Sequence, residues 1–472
     1  MNNITRIKIL ANFMKYICAF VSIVFLYLSP GHLSAKELVV DGTGAVPDLV
    51  CSMGRTPIKS NSSGSHEQDE PPAADDLPES FLLNNQSLPK PIPIEIQKHG
   101  SILSVGIWGD SHSAANFFSD ELVATLGLSK NQYRPTFIPP SFGRGGVRLP
   151  IKKYCKSDGW SYLLAYTSKL SSAQFSPSLI SLTSNISGSN LAVDFRFSDN
   201  RPALESLTIL LRPSSDDISI NLTVDSLTFD NVNIPAGDDR IILKASSPFS
   251  IVKLMLQSGS LTIEGFLPTY TTEPSLFLDT FGIPGATAKG WKNIDPIYMK
   301  KKLPPQQYDL AILQYGTNEG ADRNFDPISY KESLSLSLGK FKSVFPSTEC
   351  VLIGPTDRGV LIKRIKINER KKNKTNKIKL AKQAKSINYV DLLKYSSVHQ
   401  NISEIQASVA SEFGCKFWNW QNAMGGKGGS YGWFHKNPRL MANDLIHLTI
   451  PGYQESARTF VESVNLKKLF RE

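Results

Sequence analysis

Between about residues 162 and 268 the chain changes character, and that change constrains its fold more than any other feature. Short runs of alternating apolar and polar residues follow one another at 179–182, 192–197, 207–211, 218–222, 241–243 and 251–256. Turn formers separate them, among them Pro213, Ser214 and Asp216, then Pro235, Gly237 and Asp238. Side chains of a strand alternate between its two faces, so period-two runs at this density predict a β-sandwich of about eight or nine strands. No helical pattern of useful length interrupts them.

The flanks obey a different rule. Residues 102–108 form a short apolar run suited to a buried strand and end at Gly109, Asp110 and Ser111. Phe117, Phe118, Leu122, Val123 and Leu126 then repeat at helical spacing. Strand-like runs return at 309–315 and 350–354, beside helical stretches at 327–345 and 402–413. Alternating strands and helices predict a parallel sheet covered on both faces, a three-layer α/β/α unit. Both flanks belong to that unit, so the sandwich is an insertion in it. A length of 472 residues agrees, because single hydrophobic cores stop growing at roughly 250–300 residues. The division expected is 98–154 and 276–472 for the two parts of the α/β unit, with the sandwich at 155–275.

The N-terminal region carries a different message. Arg6, Lys8 and Lys15 precede an apolar run at 16–28, and Leu33, Ser34 and Ala35 follow before Lys36. That order predicts an export signal over residues 1–35, cleaved near Ala35, with an uncleaved anchor as the alternative. Residues 36–97, rich in Ser, Asn, Pro and acids over most of their length, are expected to form a linker. Export leaves Cys51, Cys155, Cys350 and Cys415 in an oxidising compartment where they can pair, in any of three ways. The formal charge of +10 is local: between Lys363 and Lys385 lie eleven Lys or Arg against the single acid Glu369, which accounts for the whole excess. Such a run either binds an anionic surface or forms a solvated basic segment. Aromatic residues hardly interleave it, which argues against nucleic acid. No zinc-binding spacing occurs, and no cofactor is expected.

Four separated segments carry residue types suited to acyl transfer. This chemistry needs a nucleophile, a base to take its proton, a group that orients the base, and donors for the developing oxyanion. Ser111 closes the first strand, where open α/β sheets build their sites. Asp444 and His447, three residues apart and just ahead of a helix beginning near Pro451, form a carboxylate–imidazole pair. Asn318, in the run from Gly316 to Glu319, ends another strand with its amide available to a cleft. Gly285 offers a backbone amide that a ligand can approach closely, with Gly282 as its neighbouring alternative.

Taken in order, the Gly-Asp-Ser block at Ser111, the glycine block at Gly285, the Gly-Thr-Asn block at Asn318 and the Asp-x-x-His block at Asp444 and His447 resemble the four blocks of the SGNH/GDSL hydrolases. The resemblance implies a flavodoxin-like three-layer α/β/α fold, with Ser111 as nucleophile and His447 as base oriented by Asp444. It further implies oxyanion donors at the Ser111 amide, the Gly285 amide and the Asn318 side chain. His112 after the serine, Glu319 after the asparagine, and Met424, Gly425 and Gly426 ahead of Trp433 are similar to the peptidoglycan O-acetylesterases. Those proteins carry a carbohydrate-binding-module-like sandwich in the same interval. Expected accordingly are a periplasmic or envelope location, an O-acetylated peptidoglycan or related glycan as partner, and no nucleic acid. The basic run would offer contact with the anionic cell surface. An O-acetyltransferase, or an esterase of another acylated polysaccharide or lipid, would use the same residues. The basic run and the long linker depart from the family pattern.

Overall fold

The computed structural model describes residues 35–42, 48–51, 69–82, 91–196, 204–322, 324–363 and 389–471. Residues 1–34 of the expected export signal and all but the first residue of the basic run lie outside these residues.

Six parallel strands form the central sheet: β1 (Leu103–Gly109), β2 (Tyr133–Arg134), β3 (Leu276–Gly282), β4 (Leu310–Gln314), β5 (Glu349–Ile353) and β6 (Lys416–Trp418). Their order across the sheet is β6-β5-β4-β1-β3-β2. The chain builds outward from β1 first to one side and then, from β4 on, to the other. The crevice at the C-terminal ends of β1 and β4 is therefore the topological switch point, where open α/β sheets bind ligands.

Strand alternation explains the three layers. Val105, Ile107, Leu310, Ile312, Val351 and Ile353 face one core, shared with helices α1 (Phe117–Thr125) and α4 (Ile450–Ser463). Trp108, Ala311, Leu313, Cys350 and Leu352 face the other, shared with α2 (Pro327–Val344) and α3 (Lys394–Glu412). Two of the four helices start at caps that their sequences supply. Asp326 caps α2 through the Ser329 amide, Thr449 caps α4 through the Gly452 amide, and each is followed by a proline in the first turn. The helix expected from residue 402 begins earlier, at Lys394, because Tyr395 and Ser396 are polar or half-buried and hide the pattern of its first turns.

Two antiparallel-rich sheets, of six and five strands, enclose a core of aliphatic residues including Leu207, Ile209, Ile220, Leu222, Leu254 and Ile263. Nine of these strands fall within residues 161–270, as the alternation predicts. The linker expectation needs correction. Lys36–Asp41 forms an edge strand paired in parallel with Arg240–Phe249, and Val40 is buried in the sandwich core. Its short apolar centre between charged ends resembles loop sequence, and only the neighbouring strand gives it partners. Asp69–Glu70 pairs with Ile362–Lys363, while Phe81, Ile92 and Ile96 pack on the core beneath α4. Cys51 is joined to Cys155 and Cys350 to Cys415, resolving the open pairing. The first bond fixes part of the former linker to the sandwich.

Sandwich and sheet share an interior. Phe137, Phe175 and Leu210 lie in one cluster with Trp108, Phe281 and Trp291. Beside it Lys302, 1% exposed, donates to the Leu211 carbonyl at 2.6 Å and to Asp239 Oδ2 at 3.1 Å. The buried Glu264 carboxylate accepts from Arg212 at 3.2 Å and from the Tyr298 hydroxyl at 2.7 Å. Among the described residues no helix is long and apolar enough to cross a membrane.

Candidate active site

Two residues after β1 ends, the chain turns sharply into a short helix, Ser111–Ala114. Asp110 caps it, its Oδ1 accepting the His112 amide at 2.9 Å. Gln314, at the end of β4, reaches across: its Oε1 accepts from the Ser113 hydroxyl at 3.1 Å and from the Asp110 amide at 3.3 Å. The turn is thus fixed by its own cap and by the neighbouring strand, and Ser111 stands at the switch point.

The segment before α4 supplies the partner. Asp444 Oδ1 accepts the amides of Ile446 and His447, both at 2.9 Å, and closes a tight turn in which Leu445 is left-handed (φ 54°). The other carboxylate oxygen accepts from His447 Nδ1 at 2.7 Å, and His447 Nε2 lies 2.9 Å from Ser111 Oγ. The structure therefore brings together Ser111, His447 and Asp444 from segments more than 300 residues apart. That is the order hydroxyl, imidazole, carboxylate that lets a serine lose its proton.

Electrostatics suit the arrangement. Burial opposes ionisation of Asp444, but the hydrogen bonds from the His447 ring and from the two amides outweigh it and hold the carboxyl at about 2. The hydrogen bond that His447 donates to Asp444 raises its imidazole above the ordinary range. Behind it, desolvation lowers His112 to about 3, so this ring, 5.4 Å from that of His447, is neutral and does not compete. His112 Nδ1 lies 3.1 Å from the Tyr453 hydroxyl of α4. Burial pushes Asp110 up to about 6.

The segments that carry Gly285 and Asn318 meet each other. Asn318 Nδ2 donates to the Ala286 carbonyl at 2.8 Å, so the amide is tied to the residue next to Gly285. Gly285 is left-handed (φ 82°), a conformation that favours glycine. Gly282, the alternative, plays another part: a Cβ there would come within 2.3 Å of the Ala114 amide nitrogen, so its absence lets the helix after Ser111 pack on the end of β3. A brace missed by sequence reasoning joins both segments. The Glu319 carboxylate accepts the Ala288 amide at 2.9 Å and the Gly316 amide at 3.1 Å. Its position next to Asn318 was the available signal. Arg144 and Tyr166, one from each side of the sandwich entry, also reach this loop. Arg144 Nη2 donates to the Pro284 carbonyl at 2.8 Å and to the Tyr166 hydroxyl at 3.1 Å.

A second serine–histidine–aspartate chain lies at the opposite end of the sheet, where sequence spacing gave no hint of it. Asp309 Oδ1 is 2.8 Å from His99 Nδ1, and His99 Nε2 is 3.1 Å from Ser347 Oγ. Ser347 stands three residues beyond the C-terminus of α2, where carbonyl dipoles repel a developing oxyanion. Asp309 also accepts the amides of His99 and Ser104. This chain anchors the segment leading into β1.

Sheet order, switch-point serine and three covering layers define the fold of the SGNH-type esterases. A solved structure described as a peptidoglycan O-acetylesterase in action is similar with a TM-score of 0.55 and 21% identity, over 79% of this chain and 93% of that one. A family two carbohydrate esterase from Cellvibrio japonicus aligns over 67% of this chain and all of that one, at TM-score 0.26 and 13% identity. A GDSL-like lipase from Parabacteroides merdae covers 41% of this chain and 74% of that one, at 0.27 and 16%. The first likeness supports the fold, and the two looser ones add nothing to it. By sequence, no protein family and no curated protein matches the chain.

Proposed function

We propose that this protein is a serine esterase that removes O-acetyl groups from peptidoglycan through an acetyl-Ser111 intermediate. The observation that carries the proposal is the hydrogen-bonded chain from Ser111 through His447 to Asp444 at the switch point. The length over which the fold follows that of a peptidoglycan O-acetylesterase supports the substrate.

In this reading His447 Nε2 takes the Ser111 proton as Oγ attacks the acetyl carbon. The oxyanion receives hydrogen bonds from the amides of Ser111 and Gly285 and from the second Nδ2 hydrogen of Asn318. The sugar oxygen departs with the proton from His447. Water then gives its proton to His447 and attacks the acetyl-serine, releasing acetate and restoring Ser111. No step requires a cofactor. The protein acts after export, at the cell envelope, and the basic run beginning at Lys363 holds it against the anionic wall.

Acetate release from O-acetylated and base-de-acetylated cell wall tests the substrate, and Ser111→Ala tests the site. The wild type should release acetate from the first alone, and the variant should lose about 10³-fold or more. A variant keeping a tenth of the turnover refutes the nucleophile. Equal rates on acetylated xylan and acetylated wall refute the substrate.

A further inference from the structure

Arg358 lies on the loop that follows β5, beside the proposed site, and no step of the proposed reaction uses it. The Gly359 amide donates to the Leu445 carbonyl at 3.0 Å, inside the turn that holds Asp444 and His447. A Cβ on Gly359 would come within 2.9 Å of the Leu445 side chain, so the loop packs directly on that turn. Arg358 is close enough for its charge to act on His447 and to feel Asp444.

What sets Arg358 apart is what it lacks. Six arginines among the described residues are buried or half-buried: Arg134, Arg144, Arg196, Arg212, Arg240 and Arg358. The first five all donate hydrogen bonds to oxygen atoms. Arg358 donates none among the described residues, and its Nε is buried without a partner. Its guanidinium carbon instead lies 3.9 Å from the centre of the Tyr395 ring. Nearby carboxylates are occupied. Asp357 accepts from Ser396, from Gln421 at 2.8 Å and from the Ser430 amide at 2.9 Å. Asp444 is filled by His447 and two amides.

A half-buried guanidinium without a hydrogen-bond acceptor costs free energy, and sites that break such a rule are where a ligand can supply the missing partner. A planar guanidinium edge matches a carboxylate, which it binds through two parallel hydrogen bonds. We infer that Arg358, stacked on Tyr395, is a specificity residue that binds a carboxylate of the substrate while the acetyl ester lies at Ser111. This inference rests on the esterase reading of the site. It adds that the glycan is chosen for an acid group near the ester, as on the lactyl-peptide arm of a muropeptide.

The test compares two O-acetylated muropeptides that differ only in whether their carboxylates are free or amidated. The readout is the ratio of their kcat/KM values. In the wild type the free acid should be preferred tenfold or more, chiefly through KM. Arg358→Gln should bring that ratio near unity, and Arg358→Lys, which keeps the charge but not the paired geometry, should restore part of it. A wild type without preference, or an Arg358→Gln variant that keeps it, overturns the inference. Hydrolysis of neither muropeptide by an enzyme active on 4-nitrophenyl acetate would refute the substrate reading instead. The carboxylate site then stands or falls on inhibition of that small ester: N-acetylmuramic acid should inhibit the wild type more strongly than N-acetylglucosamine, and Arg358→Gln should erase the difference. Equal inhibition by the two sugars overturns it.

Discussion

Replacing Glu319 by Gln tests whether the oxyanion side of the site is held by one carboxylate. Each Glu319 oxygen accepts one amide, from Ala288 and from Gly316, and these flank the segments that carry Gly285 and Asn318. Glutamine has one acceptor oxygen and one NH₂ group, so one of the two amides would face a donor and lose its bond. An unsatisfied interior donor costs about 1–3 kcal/mol. If that cost falls on the geometry of the oxyanion donors, turnover of a small acetyl ester should drop by roughly five- to 150-fold with KM little changed. The same residue gives a signature in pH. Desolvation outweighs the amide hydrogen bonds and pushes Glu319 from 4.5 to about 7 in the folded protein. A carboxyl raised on folding stays protonated in the native state while the unfolded chain ionises, so stability falls as pH rises from about 4.5 through about 7. The loss is about 3 kcal/mol at most. Melting temperature measured at pH 5 and pH 8 should therefore fall less in Glu319→Gln than in the wild type. Full turnover in the variant, with an unchanged difference in melting temperature between the two pH values, would refute the brace.

Asp444→Asn removes the group that raises His447, so the acidic limb of kcat/KM should move to lower pH while kcat falls by about 10⁴-fold; a limb that stays in place would separate Asp444 from the titration. Asn318→Ala should lower kcat by about 10²- to 10³-fold at near-constant KM for the small ester, as for a donor used mainly in the transition state. A rise in KM with kcat intact would make Asn318 a positioning residue.

Much of the site was legible because its chemistry sits in short local patterns. Asp444 and His447 are three residues apart, and a turn of that length brings carboxylate and imidazole together by itself. Ser111 and Asn318 end strands, and strand ends are set by runs of buried residues that alternation exposes. What stayed hidden depends on distant neighbours. Lys36–Asp41 becomes a strand only because Arg240–Phe249 offers it an edge. His99 acquires a carboxylate 210 residues away. Gly282 and Gly285 lie three residues apart in one glycine-rich run, and only the packing of Ala114 against the first, at the end of β3, and the left-handed backbone of the second tell them apart. Charge is legible only in bulk: the basic run dominates the composition, while Arg358, whose Nε is buried without a partner, stands out in no sequence pattern.

The sandwich bears on catalysis through this same distant packing. The inserted segment carries none of the four motif blocks, and from sequence its removal should leave the chemistry untouched. In the structure it supplies Tyr166, whose hydroxyl lies 3.6 Å from the Cβ position of Gly285 and is held by the arginine that binds the Pro284 carbonyl. It also supplies Arg212, Asp239 and Glu264 to the buried ion cluster around Lys302. Breaking such a cluster by removing one partner costs about 3–5 kcal/mol, because the remaining charge is left in a desolvated place. Cutting out residues 160–270 would strand Lys302, uncover Phe137 and Trp291, and remove the Tyr166 contact to the loop that carries Gly285. The insertion therefore packs on the loop that carries Gly285, so its removal should lower turnover of a small acetyl ester as well as of the polymer, and full small-ester turnover in a folded deletion variant would refute that coupling.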